Sequence, residues 1–256
     1  MFTRREFCKA LIIALGFAGI STISANKASA FGDRNHFHFA QLKYKGGNWN
    51  PYRTGPEELL KKLKRETSVE PALKRVYLES TDKNLFLYPF LFVTGREEFD
   101  PWPEEGVLQL RKYLNYGGFM LVDDAGTQEG HGFDKSFRRE VQRIFPNQQL
   151  KKLSKDHVVY QTFYLVRSVG GKKMVKPYLE GIDVGDLTPL IYSQNDLGGA
   201  WEKDNLGKWV YQVQPGGELQ RDWAFRLGIN IFMYAVTVNY KKDQIHIPFI
   251  MQRKGA

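Results

Sequence analysis

The chain has 256 residues and a formal net charge of +9. Residues 1–30 hold four basic residues and one acidic residue, so the charge of the remainder is +6. The other lysines and arginines are scattered along the sequence, which favours a solvated surface and argues against nucleic acid as a partner. The only cysteine is Cys8. A disulfide, an iron–sulfur cluster, a cysteine-ligated metal and a cysteine nucleophile are therefore excluded for residues 31–256.

The amino-terminal segment has the pattern of a twin-arginine export signal. The motif Thr-Arg-Arg-Glu-Phe-Cys-Lys occupies Thr3–Lys9, an apolar run follows from Ala10, and Ala28–Ala30 supplies the small residues of a cleavage site. An ordinary secretory signal and an uncleaved anchor are alternatives, although the apolar run is short for a membrane span. We expect a mature chain of residues 31–256 in the periplasm or another extracytoplasmic compartment, with no stable membrane span after cleavage.

Periodicity and turn residues predict an α/β protein. We expect strands over residues 35–44, 75–79, 90–94, 119–122, 150–153, 157–166 and 189–193. We expect helices that begin at Pro56 and that span 104–116, 134–144 and 222–238. Strands that alternate with helices indicate a single domain with a mainly parallel sheet. Arg226 and Asn230 in the last helix favour a helix docked on the core over a membrane span.

The stretch Gly117–Gly126 is the best candidate for the centre of a site. Two glycines precede four apolar residues, and the adjacent acids Asp123 and Asp124 follow them. This pattern is typical of a buried parallel strand. Ligands of open α/β sheets bind at the carboxyl ends of such strands. The loops that follow Thr94, Val122 and Ser193 are therefore expected to line one cavity.

Several further motifs resemble those of the bacterial domain-of-unknown-function family 4159. The matching segments are Tyr88–Gly95, Leu110–Phe119, Asp123-Asp124, Phe133–Arg138, Ile144–Pro146, Asp156-His157, Tyr192–Leu197, Gly228–Ala235 and Tyr240–Pro248. The resemblance implies a flavodoxin-like, three-layer fold similar to that of the class I glutamine amidotransferases, with a mainly parallel sheet. It implies no activity. Glutamine hydrolysis by the amidotransferase route needs a cysteine nucleophile, which residues 31–256 lack.

Four residues within a short segment form a candidate metal or acid–base site: Asp123, Asp124, His131 and Asp134. Oxygen ligands suit hard divalent cations, and an imidazole shifts the preference towards zinc, manganese or iron. One carboxylate could instead activate water. The structural alternative is that Asp123 binds backbone amides, Asp134 caps a helix and His131 is simply exposed.

His157 is a third catalytic candidate beside Asp123 and Asp124. It follows Asp156 just before a predicted strand, and a histidine oriented by a neighbour is a common base. The alternative is a polar residue that stabilises the start of the strand. No Gly-x-Ser-x-Gly elbow is present, so a serine hydrolase is poorly supported.

Loop aromatics and amides form a candidate ligand-binding set. Its members are Trp49, Trp102, Asn195, Asp196 and Trp201. Exposed indole rings stack on sugar rings, and amide or carboxylate groups bind sugar hydroxyls. The alternative is that the aromatic rings cover the edges of the core.

The sequence therefore leaves three hypotheses open. The first is a binding module for a small polar ligand or an envelope protein. The second is a metal-assisted or carboxylate-based hydrolase acting on an envelope or glycan substrate. The third is a structural envelope component. Whether the protein is an enzyme, which ligand it takes and whether it uses a divalent metal are not fixed by the sequence.

Overall fold

The computed structural model describes the backbone of residues 37–252 and the side chains of residues 37–237. The strands of this part are β1 (Phe37–Lys43), β2 (Pro71–Glu79), β3 (Phe90–Gly95), β4 (Phe119–Asp124), β5 (Lys151–Lys152), β6 (Glu180–Val184) and β7 (Leu187–Ser193). The α-helices are α1 (Gly55–Glu66), α2 (Glu104–Asn115), α3 (Gly132–Ile144), α4 (Leu197–Trp201) and α5 (Gly217–Gln252). The protein is thus α/β, as predicted. The predicted signal segment lies outside the described residues.

All seven strands form one sheet in the order β2-β1-β3-β4-β7-β6-β5. The first five are mutually parallel, whereas β6 and β5 are antiparallel additions at one edge. In the centre, Thr94 of β3 pairs with Asp123 of β4, which pairs with Ser193 of β7. The prediction that these three strands lie side by side and point the same way is confirmed.

Helices cover both faces of the sheet, because the central strands are apolar on both sides. On one face, which we call face A, Phe119 and Leu121 pack with the residues of α1, α4 and α5. On the other, face B, Met120 and Val122 pack with those of α2 and α3. Side chains alternate between the faces along each strand. This alternation decides where the polar residues at the strand ends point.

A carboxylate distant in sequence stabilises the first turn of α1. Glu202 is buried, and it accepts hydrogen bonds from the backbone amides of Arg53, Thr54 and Gly55 at 2.9, 3.0 and 2.5 Å. The first amides of a helix have no partner within the helix, and an anion also suits its positive end. Thr54, the residue that precedes the helix, makes no side-chain capping bond. Glu202 thereby fixes the loop after β1 to the segment after α4.

The structure differs from the prediction at one expected strand and at one strand that was not expected. The strand expected over residues 157–166 is wrong, because this segment forms a short 3-10 helix at Val158–Tyr160 followed by bends. Buried Asn230 of α5 stabilises this segment through its side-chain amide. Its oxygen accepts hydrogen bonds from the backbone amides of Phe163 and Tyr164, and its nitrogen donates to the carbonyls of Val159 and Tyr164. Strand β6 was not predicted. Among the described residues, no helix combines the length and apolar composition that a membrane crossing requires.

Candidate functional site

Asp123 and Asp124 are the last two residues of β4, and they point to opposite faces of the sheet. Asp123 reaches the amino terminus of α4 on face A, whereas Asp124 lies near Asp134 of α3 on face B. Adjacent residues of a strand must diverge in this way. The sequence-based hypothesis placed both acids in a loop as partners in one site. The placement in a loop is wrong, because β4 continues through both residues.

The face A carboxylate is held by backbone amides. Asp123 is fully buried, and its two oxygens accept from the amides of Leu197 and Gly198, each at 2.8 Å. Gly198 has no room for a side chain, because a Cβ there would lie 2.6 Å from the ring of Tyr52. Burial, and next the charge of Asp196, raise the pKa of Asp123, while the two amides oppose this shift.

Asp196 forms the second buried carboxylate of face A. It caps α4 in a left-handed conformation (φ 59°), and its Oδ1 accepts from the Gly199 amide at 2.9 Å and from the hydroxyl of Tyr52. Lys172 forms an ion pair with its Oδ2. Burial raises the pKa of Asp196, and Lys172 partly reverses the effect. A non-glycine residue held at positive φ is a form of backbone strain that is frequent at functional sites.

Arg96 and Tyr211 complete this group of side chains. The Arg96 guanidinium donates to the Tyr211 hydroxyl at 3.2 Å, and its carbon lies 5.3 Å from the centroid of the Tyr52 ring and 5.9 Å from that of Tyr211. Lys172 Nζ lies 4.7 Å from the centroid of the Tyr211 ring. Arg96, Lys172 and Tyr211 are half-buried. We call Tyr52, Arg96, Asp123, Lys172, Asp196 and Tyr211 the sheet-end cluster.

On face B, Asp124 has one satisfied oxygen and one without a partner. Oδ1 accepts from the amides of Gly126 and Thr127 at 2.7 and 3.2 Å, whereas buried Oδ2 has no hydrogen-bond partner among the described residues. Burial raises the pKa of Asp124 to about 7, opposed by the two amides and supported by the charges of Asp134 and Asp196. Thr127 has φ 54°, which is strained for a β-branched residue.

Asp134 is saturated by hydrogen bonds. Its Oδ1 accepts from Arg138 at 2.9 Å, Tyr192 at 2.8 Å and Gln194 at 2.9 Å, and its Oδ2 accepts from the Gly130 amide at 2.7 Å. His131 is exposed at the start of α3, with Nδ1 3.0 Å from the carbonyl of Glu129.

The predicted metal set of Asp123, Asp124, His131 and Asp134 is therefore not assembled as one group. Within residues 37–237 no three His, Asp or Glu side chains are arranged to hold a metal ion. The reason is again the division between the two faces of the sheet, together with the saturation of Asp134.

His157 lies at the other end of the sheet from the clustered acids. Its Nδ1 accepts from the Val159 amide at 3.1 Å, so the proton is on Nε2, which donates to Thr188 Oγ1 at 3.0 Å. Thr188 is near the start of β7, whereas Ser193, the partner of Asp123, is at its end. Five residues of strand span about 16 Å. This spacing along β7 places His157 and Asp123 too far apart for direct proton transfer, which needs hydrogen-bond reach.

Most of the predicted ligand-binding residues are structural. Trp102 is 2% exposed and Trp201 fully buried, so neither presents a ring face to a sugar. Trp49 is half-buried and packs edge-on against Tyr77 with ring centroids 5.3 Å apart. Buried Asn195 binds the backbone of residues 175–176 through both ends of its amide. Of the predicted set, Asp196 alone belongs to the sheet-end cluster.

Of the cluster, the candidate sets from the sequence contain only Asp123 and Asp196, and they omit Tyr52, Arg96, Lys172 and Tyr211. The position of Arg96 carried a signal, because it directly follows the glycine that ends a buried strand. Lys172 follows the paired glycines Gly170 and Gly171, and a Cβ on Gly171 would lie 2.1 Å from the carbonyl oxygen of Asn195. Tyr211 carried no such signal, since it belongs to a long polar loop.

The fold and the cluster define an α/β protein with a mainly parallel sheet and a polar group of side chains at the carboxyl ends of its central strands. The chain belongs to the family described as Domain of unknown function (DUF4159), which matches residues 38–236. No curated protein matches the chain.

Proposed function

We propose that the protein is an exported binding module with a flavodoxin-like fold, which holds a small polar ligand at the sheet-end cluster. The order β2-β1-β3-β4-β7 supports the fold, because it corresponds to the 2-1-3-4-5 order of flavodoxin-like sheets. The similarity in layers to the class I glutamine amidotransferases is part of this proposal. Their glutamine hydrolysis is not, since residues 31–256 contain no cysteine.

The observation that carries the proposal is the convergence of five segments on one group of side chains. Tyr52 comes from the loop after β1, Arg96 follows β3, Asp123 ends β4 and Asp196 follows β7. The fifth segment, the one before β6, adds Lys172. Ligands of open α/β sheets bind outside the carboxyl ends of the strands, near the point where strand order reverses. Here the order reverses between β1 and β3, and the segments that follow these two strands supply Tyr52 and Arg96.

Strain and buried charge at the cluster support binding over a purely structural role. Asp196 is held at φ 59°, and two carboxylates are buried near each other. Both features lower the stability of the fold. Backbone strain and carboxylates with perturbed pKa values are concentrated at functional sites.

The proposal is tested by native mass spectrometry of the protein purified gently from its source cells. We expect a small molecule at a stoichiometric ratio, and its loss in Tyr211→Phe, which removes only the hydroxyl that contacts Arg96. Tyr116→Phe is the matched control, since Tyr116 is 70% exposed. If nothing co-purifies and the envelope metabolite fraction adds no mass to the protein, the binding proposal is refuted.

Export is a separable part of the proposal. The motif at Thr3–Lys9 and the small residues at Ala28–Ala30 support it. Replacement of both arginines (Arg4→Lys, Arg5→Lys) is expected to leave the protein in the cytoplasmic fraction. Unchanged recovery from the periplasmic fraction would contradict the twin-arginine route and leave the binding proposal intact.

A second candidate function is a carboxylate-based hydrolase with Asp124 as its general acid or base. The observation that favours it is the pKa of about 7 that burial gives Asp124, because an acid–base catalyst works best near the ambient pH. A panel of chromogenic glycosides and esters tests this candidate. Turnover by the wild type that is abolished in Asp124→Asn would support it, and no turnover of any member would end it.

A further inference from the structure

We infer that the ligand of the sheet-end cluster is a small anion, held by Arg96 with Lys172 beside it. This inference rests on the proposed binding function and adds the chemical class of the ligand.

The guanidinium of Arg96 has no carboxylate partner among the described residues. Other arginines of the fold differ in this respect: Arg75 pairs with Glu57 at 2.7 Å, and Arg138 pairs with Glu180 at 2.6 Å. The hydrogen bond of Arg96 to the hydroxyl of Tyr211 leaves its charge without an anionic partner, and its buried Nε has no acceptor among the described residues. A half-buried cation with an unused donor is the complement of an incoming anion.

Aromatic rings orient the Arg96 side chain for this task. The rings of Tyr52 and Tyr211 lie at 81° to each other, and the guanidinium contacts both. Ring contacts of this kind hold the planar guanidinium in one orientation. A fixed fork of N–H donors matches the two oxygens of a carboxylate or the oxygens of a phosphate, and less entropy is lost when it binds.

Burial separates the acids of the cluster from its bases. Asp123 and Asp196 are fully buried, whereas Arg96 and Lys172 are half-exposed. A ligand that arrives from solvent therefore meets the cations first. Lys172 neutralises Asp196 through their ion pair, and burial raises the pKa of both carboxyl groups. The remaining positive charge of Arg96 favours a ligand that carries a small negative charge.

The same chemistry fits a carboxylate or a phosphate, so the test uses both. Inorganic phosphate, citrate and succinate are titrated separately into the full-length protein at constant ionic strength, and the melting temperature is recorded. We expect a saturable rise with at least one anion, and the anion with the lowest midpoint identifies the class. The neutral sugars glucose and trehalose are expected to give no shift.

Two substitutions assign the effect to Arg96. Arg96→Gln is expected to abolish the shift, and Arg96→Lys to weaken it by at least tenfold in midpoint, since lysine keeps the charge but loses the fork. Arg65→Gln is the charge-matched control, because its side chain is 70% exposed at the far end of α1. A normal melting temperature of the unliganded variants shows that they fold.

The outcomes of these experiments distinguish a failure of the anion inference from a failure of the binding proposal. A saturable anion shift that is equal in the wild type and in Arg96→Lys and Arg96→Gln would overturn the inference, as would the absence of any anion shift in the wild type. If a neutral molecule co-purifies with the wild type and is lost in Tyr211→Phe, the binding proposal stands and the anion inference fails. If no molecule of any kind binds, both fail.

Discussion

Asp124 is a buried carboxyl group whose protonation is expected to control the stability of the fold. Burial raises its pKa from 3.8 to about 7. Between these two values the folded protein binds a proton that the unfolded chain has released. The stability contribution of this proton is complete below the unfolded pKa, and it is lost as the pH rises towards the folded pKa. The wild type is therefore expected to lose stability from about pH 4 to about pH 7 through this group.

The size of the effect follows from the two pKa values. Each pH unit in that range changes the free energy of unfolding by about 1.4 kcal/mol, so the loss between pH 5 and pH 8 is about 3 kcal/mol. Asp124→Asn replaces the group with a neutral one that can still accept from the amides of Gly126 and Thr127. Relative to the wild type, the variant is thus expected to gain about 3 kcal/mol between pH 5 and pH 8.

Urea denaturation at pH 5, 6, 7 and 8 measures this difference. The control is Asp156→Asn, which removes an exposed acid and is expected to run parallel to the wild type at every pH. If the difference between Asp124→Asn and the wild type stays constant from pH 5 to pH 8, the reasoning about the buried, unpartnered Oδ2 is refuted.

Three further predictions concern groups outside the cluster. Glu202→Gln is expected to lower the free energy of unfolding by about 1–3 kcal/mol, because it weakens three hydrogen bonds to a charged group. The control Glu105→Gln changes an exposed side chain and is expected to have little effect. Urea denaturation measures both variants. Burial lowers the pKa of His157 below 6.5, so the contribution of the neutral imidazole to stability is lost as the pH falls below 6.5. The melting temperature of His157→Gln is therefore expected to change less with pH in that range than the melting temperature of the wild type. Asn230→Ala is expected to cost about 2–4 kcal/mol and to speed hydrogen exchange in residues 159–166; unchanged exchange would contradict its role in holding that segment.

The central sheet was predictable because its strands are local and strongly apolar. The glycines at 95 and 117 marked the boundaries of β3 and β4, and the apolar character of β3, β4 and β7 indicated buried parallel strands. The antiparallel edge was not predictable in the same way. Residues 157–166 are rich in β-branched and aromatic residues, as strands are, but Asn230, far away in sequence, supplies the hydrogen bonds that hold them as a loop.

The error over Asp123 and Asp124 was avoidable from the sequence. The two acids were treated as a loop pair because the apolar run ends at Val122. A strand that continues by only two residues sends adjacent side chains to opposite faces. Arg96 and Lys172 could not be joined to Asp196 without the fold, because their segments meet only when the strand ends converge. The burial of Trp102 and Trp201 likewise depends on how the loops fold back onto the sheet.

Hydrogen exchange of the protein with and without the small-molecule fraction of its source cells tests the central claim most directly. A ligand at the sheet-end cluster is expected to slow amide exchange in the segments around Tyr52, Arg96, Lys172, Asp196 and Tyr211 together. Slower exchange confined to other segments, or none at any ligand concentration, would contradict the claim that the converging strand ends form the binding site.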